Sequence, residues 1–119
     1  MFHPPANRPM NNLLFVCTQN RVRSFTAEVI FDALPGYTVK SAGTDASARI
    51  PLTQEHVDWA DMIFVMETEH LEQLRSEHGR SLAGKRIICL DIPDIYYCME
   101  PSLIEELKTK LSEHLEVRD

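Results

Sequence analysis

Short, wholly apolar runs alternate along this chain with stretches of helical period, and that alternation limits the folds open to it. Residues 13–16 (LLFV) and 62–66 (MIFVM) are apolar without interruption, as strands covered on both faces are. Residues 37–41 alternate apolar and polar and read as a half-exposed edge strand, and residues 87–90 supply a fourth. Between them lie helical patterns. Phe25, Val29, Ile30, Ala33 and Leu34 repeat at helical spacing up to Pro35-Gly36, with 42–52 as loop further on. Thr53 caps a short helix to about Ala60, and residues 68–78 turn Leu71 and Leu74 inward before Gly79 stops them. After a loop at 91–100, Pro101 opens a helix whose Leu103, Ile104, Leu107, Leu111 and Leu115 form one stripe. The order β-α-β-α-β-α-β-α predicts an α/β fold: a mainly parallel sheet with helices on both faces, joined by right-handed crossovers.

A chain of 119 residues supports one domain, here 12–119, behind a proline-containing N-terminal segment, 1–11, read as a flexible tail. The net charge is −6 with no Lys/Arg block, so neither nucleic acid nor an anionic membrane is expected as partner. No apolar run reaches the ~18 residues of a membrane span. The N-terminus also lacks the apolar region of a secretory signal. Three cysteines, Cys17, Cys89 and Cys98, with no CxxC pair, point to free thiols in a reducing cytoplasm. The five histidines form no paired metal signature, so no metal or other cofactor is expected and each histidine reads as a surface residue. Cys89 reads as core, Cys98 as a thiol without a role, and Trp59 as a packing residue. Glu67, Glu69, Glu72 and Glu77 read as one solvated helix face.

The chemistry concentrates at the end of the first strand. Ligands of an open parallel sheet bind beyond the carboxyl ends of the strands, which is where Cys17 falls. The segment Thr18, Gln19, Asn20, Arg21, Val22 then leads directly into a helix. Backbone N–H groups there, with the helix dipole behind them, suit a bound anion. Arg23 adds a planar fork of donors matched to two phosphoryl oxygens. A free thiol titrates near ~8.5, and helix N-termini and cations lower that value toward a nucleophilic thiolate. Ser24 is placed to donate to such a thiolate, and asparagine at position 20 tolerates a left-handed turn.

The sequence LLFVCTQNRVRS (13–24) resembles the phosphate-binding loop of the low-molecular-weight protein tyrosine phosphatases. The likeness continues, in the family's order, in SAGT (41–44), WADMIFVM (59–66) and DIPDIYY (91–97). The resemblance implies a three-layer α/β/α fold with a four-stranded parallel sheet, order 2-1-3-4. It also implies metal-free, two-step hydrolysis of phosphate monoesters, releasing inorganic phosphate from a phosphorylated protein or small aryl phosphate. Carried over, Cys17 would be the nucleophile and Arg23 would bind the phosphoryl group. The amides of residues 18–23 would receive its equatorial oxygens, Ser24 would support the thiolate, and Asn20 would hold the loop. Aligning PDIYY with the family's Asp-Pro-Tyr makes Asp94, rather than Asp91, the general acid and base. Tyr96 and Tyr97 would form an aromatic wall beside the substrate.

The chain departs from that pattern in several places. Val22 replaces a frequent second cysteine, Gln19 a common glycine, and Phe25 a frequent proline. The segment between Thr44 and Trp59 is short and lacks the family's aromatic specificity loop, and the histidine that braces the loop in some relatives has no obvious counterpart. Two other functions are compatible with the loop. One is a phosphate- or phosphoprotein-binding module with little turnover. The other is a thiol-coupled arsenate reductase, which needs two further cysteines in shuttling distance.

Overall fold

The computed structural model describes residues 10–115. Four parallel strands, β1 (Asn12–Cys17), β2 (Thr38–Gly43), β3 (Met62–Val65) and β4 (Arg86–Cys89), form one sheet in the order β2-β1-β3-β4. The helices are α1 (Arg23–Phe31), α2 (Gln54–Trp59), α3 (Thr68–His78) and α4 (Pro101–Leu111).

The burial of the strands follows their positions. Central β1, from Leu13 on, and β3 are apolar because α1 and α4 cover one face of the sheet and α2 and α3 the other. On the first face Phe15 stacks between Phe31 and Phe64, at centroid distances of 5.7 and 5.3 Å. Leu103, Leu107 and Leu111 close over them, and Ile104 and Leu115 of the expected stripe are half-buried. On the second face Leu14, Val16, Ile63 and Val65 meet Val57 and Leu74, with Leu71 half-buried beside them. Trp59 packs on this side under the Lys40 ammonium, 4.5 Å from its ring. Edge strand β2 keeps the predicted alternation at its start and runs two residues further, taking Ala42 and Gly43 out of the expected loop.

Local signals act as read at several ends. Thr53 caps α2, accepting the His56 N–H, and Pro101 occupies the first turn of α4. Elsewhere the structure differs. The first helix stops at Phe31, before Pro35-Gly36, and presents Ala27 and Phe31 to the core while Val29 is exposed. Polar Arg23, Ser24 and Thr26 occupy the buried face beside Ala27 and Phe31, so the apolar period does not mark the side that packs. Gly79 ends α3 after His78 as read, but not as a left-handed cap: its φ of −46° leads on into a 3-10 turn, Gly79–Leu82. Cys89 lies on edge strand β4 and is half-buried rather than core.

Of the expected tail, 1–9 lie outside the described residues; Met10 and Asn11 are half-buried, with Met10 packed on the core. No helix among the described residues is long and apolar enough to cross a membrane.

Candidate active site

The all-parallel sheet delivers the ends of its strands to one edge. There lie Cys17, Gly43-Thr44, Met66-Glu67 and the loop 90–100. Cys17 is buried at the close of β1, and residues 18–22 turn straight into α1. The Cys17 Sγ is 2.9 Å from Ser24 Oγ and receives the Asn20 backbone N–H at 3.3 Å.

Asn20 organises this arrangement. It is wholly buried with φ of 56°, in the left-handed region that asparagine tolerates. Its side-chain amide donates to Ser24 Oγ at 2.7 Å and to Ser41 Oγ at 2.8 Å. Each hydroxyl therefore accepts one bond and has its own proton to give. Ser41 gives its proton to the Glu28 carboxylate. Ser24 Oγ lies against the sulfur, with the Ala42 carbonyl also within reach of its proton at 3.4 Å. The Asn20 Oδ1 has no partner among the described residues, and a buried acceptor left so costs about 1–3 kcal/mol. The sulfur thus meets the Ser24 hydroxyl and the Asn20 N–H just before the N-terminus of α1. Also among the described residues, the amides of Thr18, Gln19, Arg21 and Val22 make no hydrogen bond to a protein acceptor.

Arg23, the first residue of α1, is buried to 3% exposure. Its Nη1 donates to Glu67 Oε1 at 2.5 Å and to the Ile92 carbonyl at 2.9 Å, and its Nε lies 3.8 Å from Asp94 Oδ1. Glu67 follows β3, and Ile92 and Asp94 follow β4, so two strand ends converge on one guanidinium. Asp94 is itself largely exposed. Asp91 is turned elsewhere. It accepts the Cys89 thiol at 3.4 Å, and its carbonyl accepts Lys110 Nζ at 2.7 Å. The two tyrosines separate in the same way. Tyr96 packs against the core and donates its hydroxyl to Glu106, whereas Tyr97 is 67% exposed.

Two expectations are overturned here. His70 is not a surface residue; it is 1% exposed beneath the loop. Its Nδ1 accepts the Glu67 N–H at 3.0 Å, which leaves the proton on Nε2 to donate to Thr18 Oγ1 at 2.9 Å. This is a loop-bracing histidine that the sequence did not disclose. Its pKa is lowered to about 4, chiefly by burial and then by the Arg23 charge, against the opposing pull of Glu67 and Asp94. Glu67 likewise leaves the solvated face to pair with Arg23. Both sit at the start of α3, where helical periodicity does not yet define a face. Glu67, Glu69 and His70 bring ligand-type atoms within 4.8 Å of one another. Both ring nitrogens of His70 are already engaged, so these residues are poorly suited to hold a metal.

No protein-family model matches the sequence, and no curated protein does either. Solved structures do match. The tyrosine phosphatase Wzb of Escherichia coli K30 superposes with a TM-score of 0.71 at 22% identity, over 88% of this chain and 96% of that one. The low-molecular-weight protein tyrosine phosphatase of Streptococcus pyogenes gives 0.67 at 17% identity, over 90% and 95%. The fold is that of the low-molecular-weight protein tyrosine phosphatases. The same phosphatase fold is shared with the YwlE arginine phosphatase of Geobacillus stearothermophilus, at TM-score 0.63 and 24% identity over 91% of this chain and 99% of that one. At these identities the likeness carries the architecture, including the 2-1-3-4 strand order.

Proposed function

We propose that this chain is a phosphate-monoester hydrolase acting through a phosphocysteine on Cys17, with Asp94 as general acid and then general base. The observation that carries the reading is the pair of constellations at one sheet edge. A buried sulfur meets the Ser24 hydroxyl and the Asn20 N–H. A buried Arg23 lies beside an exposed carboxylate, 3.8 Å from Asp94.

In the first step Sγ attacks phosphorus and the bond to the ester oxygen breaks. The proton on Asp94 passes to that oxygen, which leaves as an alcohol or phenol. The unengaged amides of the loop and the Arg23 guanidinium suit the equatorial oxygens, whose charge is spread most widely in the transition state. In the second step Asp94 takes a proton from water, the water oxygen attacks phosphorus, and the P–S bond breaks. Inorganic phosphate is released and the thiolate regenerated. Every group required belongs to this chain, and no metal enters the sequence of steps.

The solved structures of this fold include proteins described as tyrosine phosphatases and one described as an arginine phosphatase. The exposed ring of Tyr97, three residues from Asp94, favours an aryl ester here. The binding-only reading is weakened by Asp94, which faces Arg23 as an acid for turnover should. The reductase reading is weakened because Cys89 packs toward the α2/α3 face and Cys98 lies against Thr26 of α1.

The test is hydrolysis of p-nitrophenyl phosphate and of phosphotyrosine and phosphoarginine peptides. Cys17→Ser is expected to abolish turnover. Asp94→Asn should lower kcat by roughly 100-fold, as loss of a general acid does, with Asp91→Asn near wild type. Phosphate binding without hydrolysis by the wild type would instead establish the binding module.

A further inference from the structure

We propose that Arg49 is a positioning residue for the Cys17 loop, and that residues 45–51 form a clamp holding that loop in its anion-binding shape. The inference rests on the phosphatase reading above. It arises from three departures already noted: Gln19 in place of glycine, Phe25 in place of proline, and the short segment after Thr44.

In the structure these departures touch one another. The Arg49 guanidinium lies over the Phe25 ring, 4.3 Å from its centroid. Its Nε donates to the Asn20 carbonyl at 2.9 Å, and its Nη2 is 3.7 Å from Glu28 Oε1. The Gln19 side chain reaches the same segment, donating to Asp45 Oδ2 at 3.0 Å and accepting from Ser47 Oγ at 3.4 Å. Gly43 lets the two segments approach this closely, since a Cβ there would stand 2.5 Å from the Thr18 carbonyl oxygen and 2.6 Å from Ala48 Cβ.

The backbone carries the consequence. The Thr18 carbonyl accepts the Asp45 N–H at 3.1 Å, and the Gln19 carbonyl accepts the Arg49 N–H at 2.9 Å. With the Arg49 side chain on Asn20, three consecutive carbonyls of the loop are bonded to this one segment. Across a trans peptide, C=O and the following N–H point in opposite directions. Pinning the carbonyls of residues 18, 19 and 20 outward therefore turns the N–H groups of 19, 20 and 21 the other way. The Asn20 N–H does go to the sulfur, and those of Gln19 and Arg21 are among the amides with no protein acceptor. A lysine could supply the charge of Arg49 but not a planar group that stacks on Phe25 while Nε donates sideways.

The test uses the full chain and the variants Arg49→Ala, Arg49→Lys and Phe25→Leu, with exposed Lys108→Ala as control. Amide hydrogen exchange without ligand reads the loop, and kcat/KM on an aryl phosphate with inhibition by inorganic phosphate reads its use. In Arg49→Ala, exchange of the Asn20 N–H, bonded to the sulfur, and of the Asp45 N–H, bonded to the Thr18 carbonyl, should rise roughly tenfold with β3 unchanged, and kcat/KM and phosphate affinity should each fall roughly tenfold. Arg49→Lys should not restore them, and Phe25→Leu should move all three in the same direction by less. Unchanged loop exchange in both Arg49→Ala and Phe25→Leu, or full recovery in Arg49→Lys, overturns the proposal. Exchange is measured without ligand, so it decides the clamp independently of turnover. A wild type that neither binds nor hydrolyses phosphate would sink the phosphatase reading instead.

Discussion

The Glu67 carboxylate pairs with the Arg23 guanidinium at a site where the arginine is 3% exposed and the glutamate 36%. An arginine so deeply placed depends on its partner, because removing one half of a buried pair leaves the other charge uncompensated. Glu67→Ala is expected to lower unfolding stability by about 2 kcal/mol, between the values for exposed and fully buried pairs, in urea denaturation. It should also lower kcat, since among the described residues no other carboxylate lies as close to Nη1. Glu67→Gln, which keeps an acceptor, should fall between the two.

The Ser24 hydroxyl lies 2.9 Å from the sulfur and is held there by the Asn20 side-chain amide, which donates to it. Ser24→Ala should slow alkylation of Cys17 by iodoacetamide at neutral pH by roughly tenfold, the worth of one hydrogen bond to a charged atom. The fold should survive, as seen by circular dichroism. Peptide mapping of the alkylated product separates Cys17 from the half-buried Cys89 and the exposed Cys98.

His70 gives the stability of the molecule a specific pH dependence. Its pKa is lowered from 6.5 to about 4, chiefly by burial. Between those values the unfolded chain binds a proton that the native chain refuses, so stability falls as pH drops from 6.5 and the loss levels off near 4. The difference between wild type and His70→Gln should change by an amount on the order of 2 kcal/mol across that window. A difference independent of pH would show that the ring titrates alike in both states.

Gly43 pairs with Cys17 in the register of β1 and β2 and lies under the loop. Gly43→Ala must displace the Thr18 carbonyl or Ala48, and forcing a methyl into packed backbone costs about 1–3 kcal/mol. The expected result is lower stability in thermal melts together with a loss of phosphate affinity. The same change at Gly79, where a Cβ would meet nothing within 4 Å, should leave phosphate affinity intact.

The strands, their order along the chain and the placing of Cys17 at a strand end were readable because a doubly covered strand must be apolar throughout. Arg23 and Ser24 were candidates from their spacing to Cys17 and from the resemblance of that loop. What stayed hidden depends on tertiary contact. His70 and Glu67 occupy the start of a helix, and only the superposition of β1, β3 and β4 ends puts them under Thr18 and beside Arg23. Arg49 was passed over for the same reason, since it lies in a segment without period and its partners are backbone carbonyls. Asp94 was preferred to Asp91 only by alignment to a motif; in the fold Asp94 lies near Arg23 and Asp91 beside Cys89.

Covalent capture of phosphate on Cys17 is the point on which the functional reading turns. Rapid mixing of stoichiometric protein with p-nitrophenyl phosphate, followed by acid quench and mass spectrometry, reads it directly. The expected result is a burst of one p-nitrophenol per active protein and a phosphoryl adduct confined to the Cys17 peptide, absent in Cys17→Ser. Turnover without a burst or adduct, or an adduct elsewhere that survives Cys17→Ser, would contradict it.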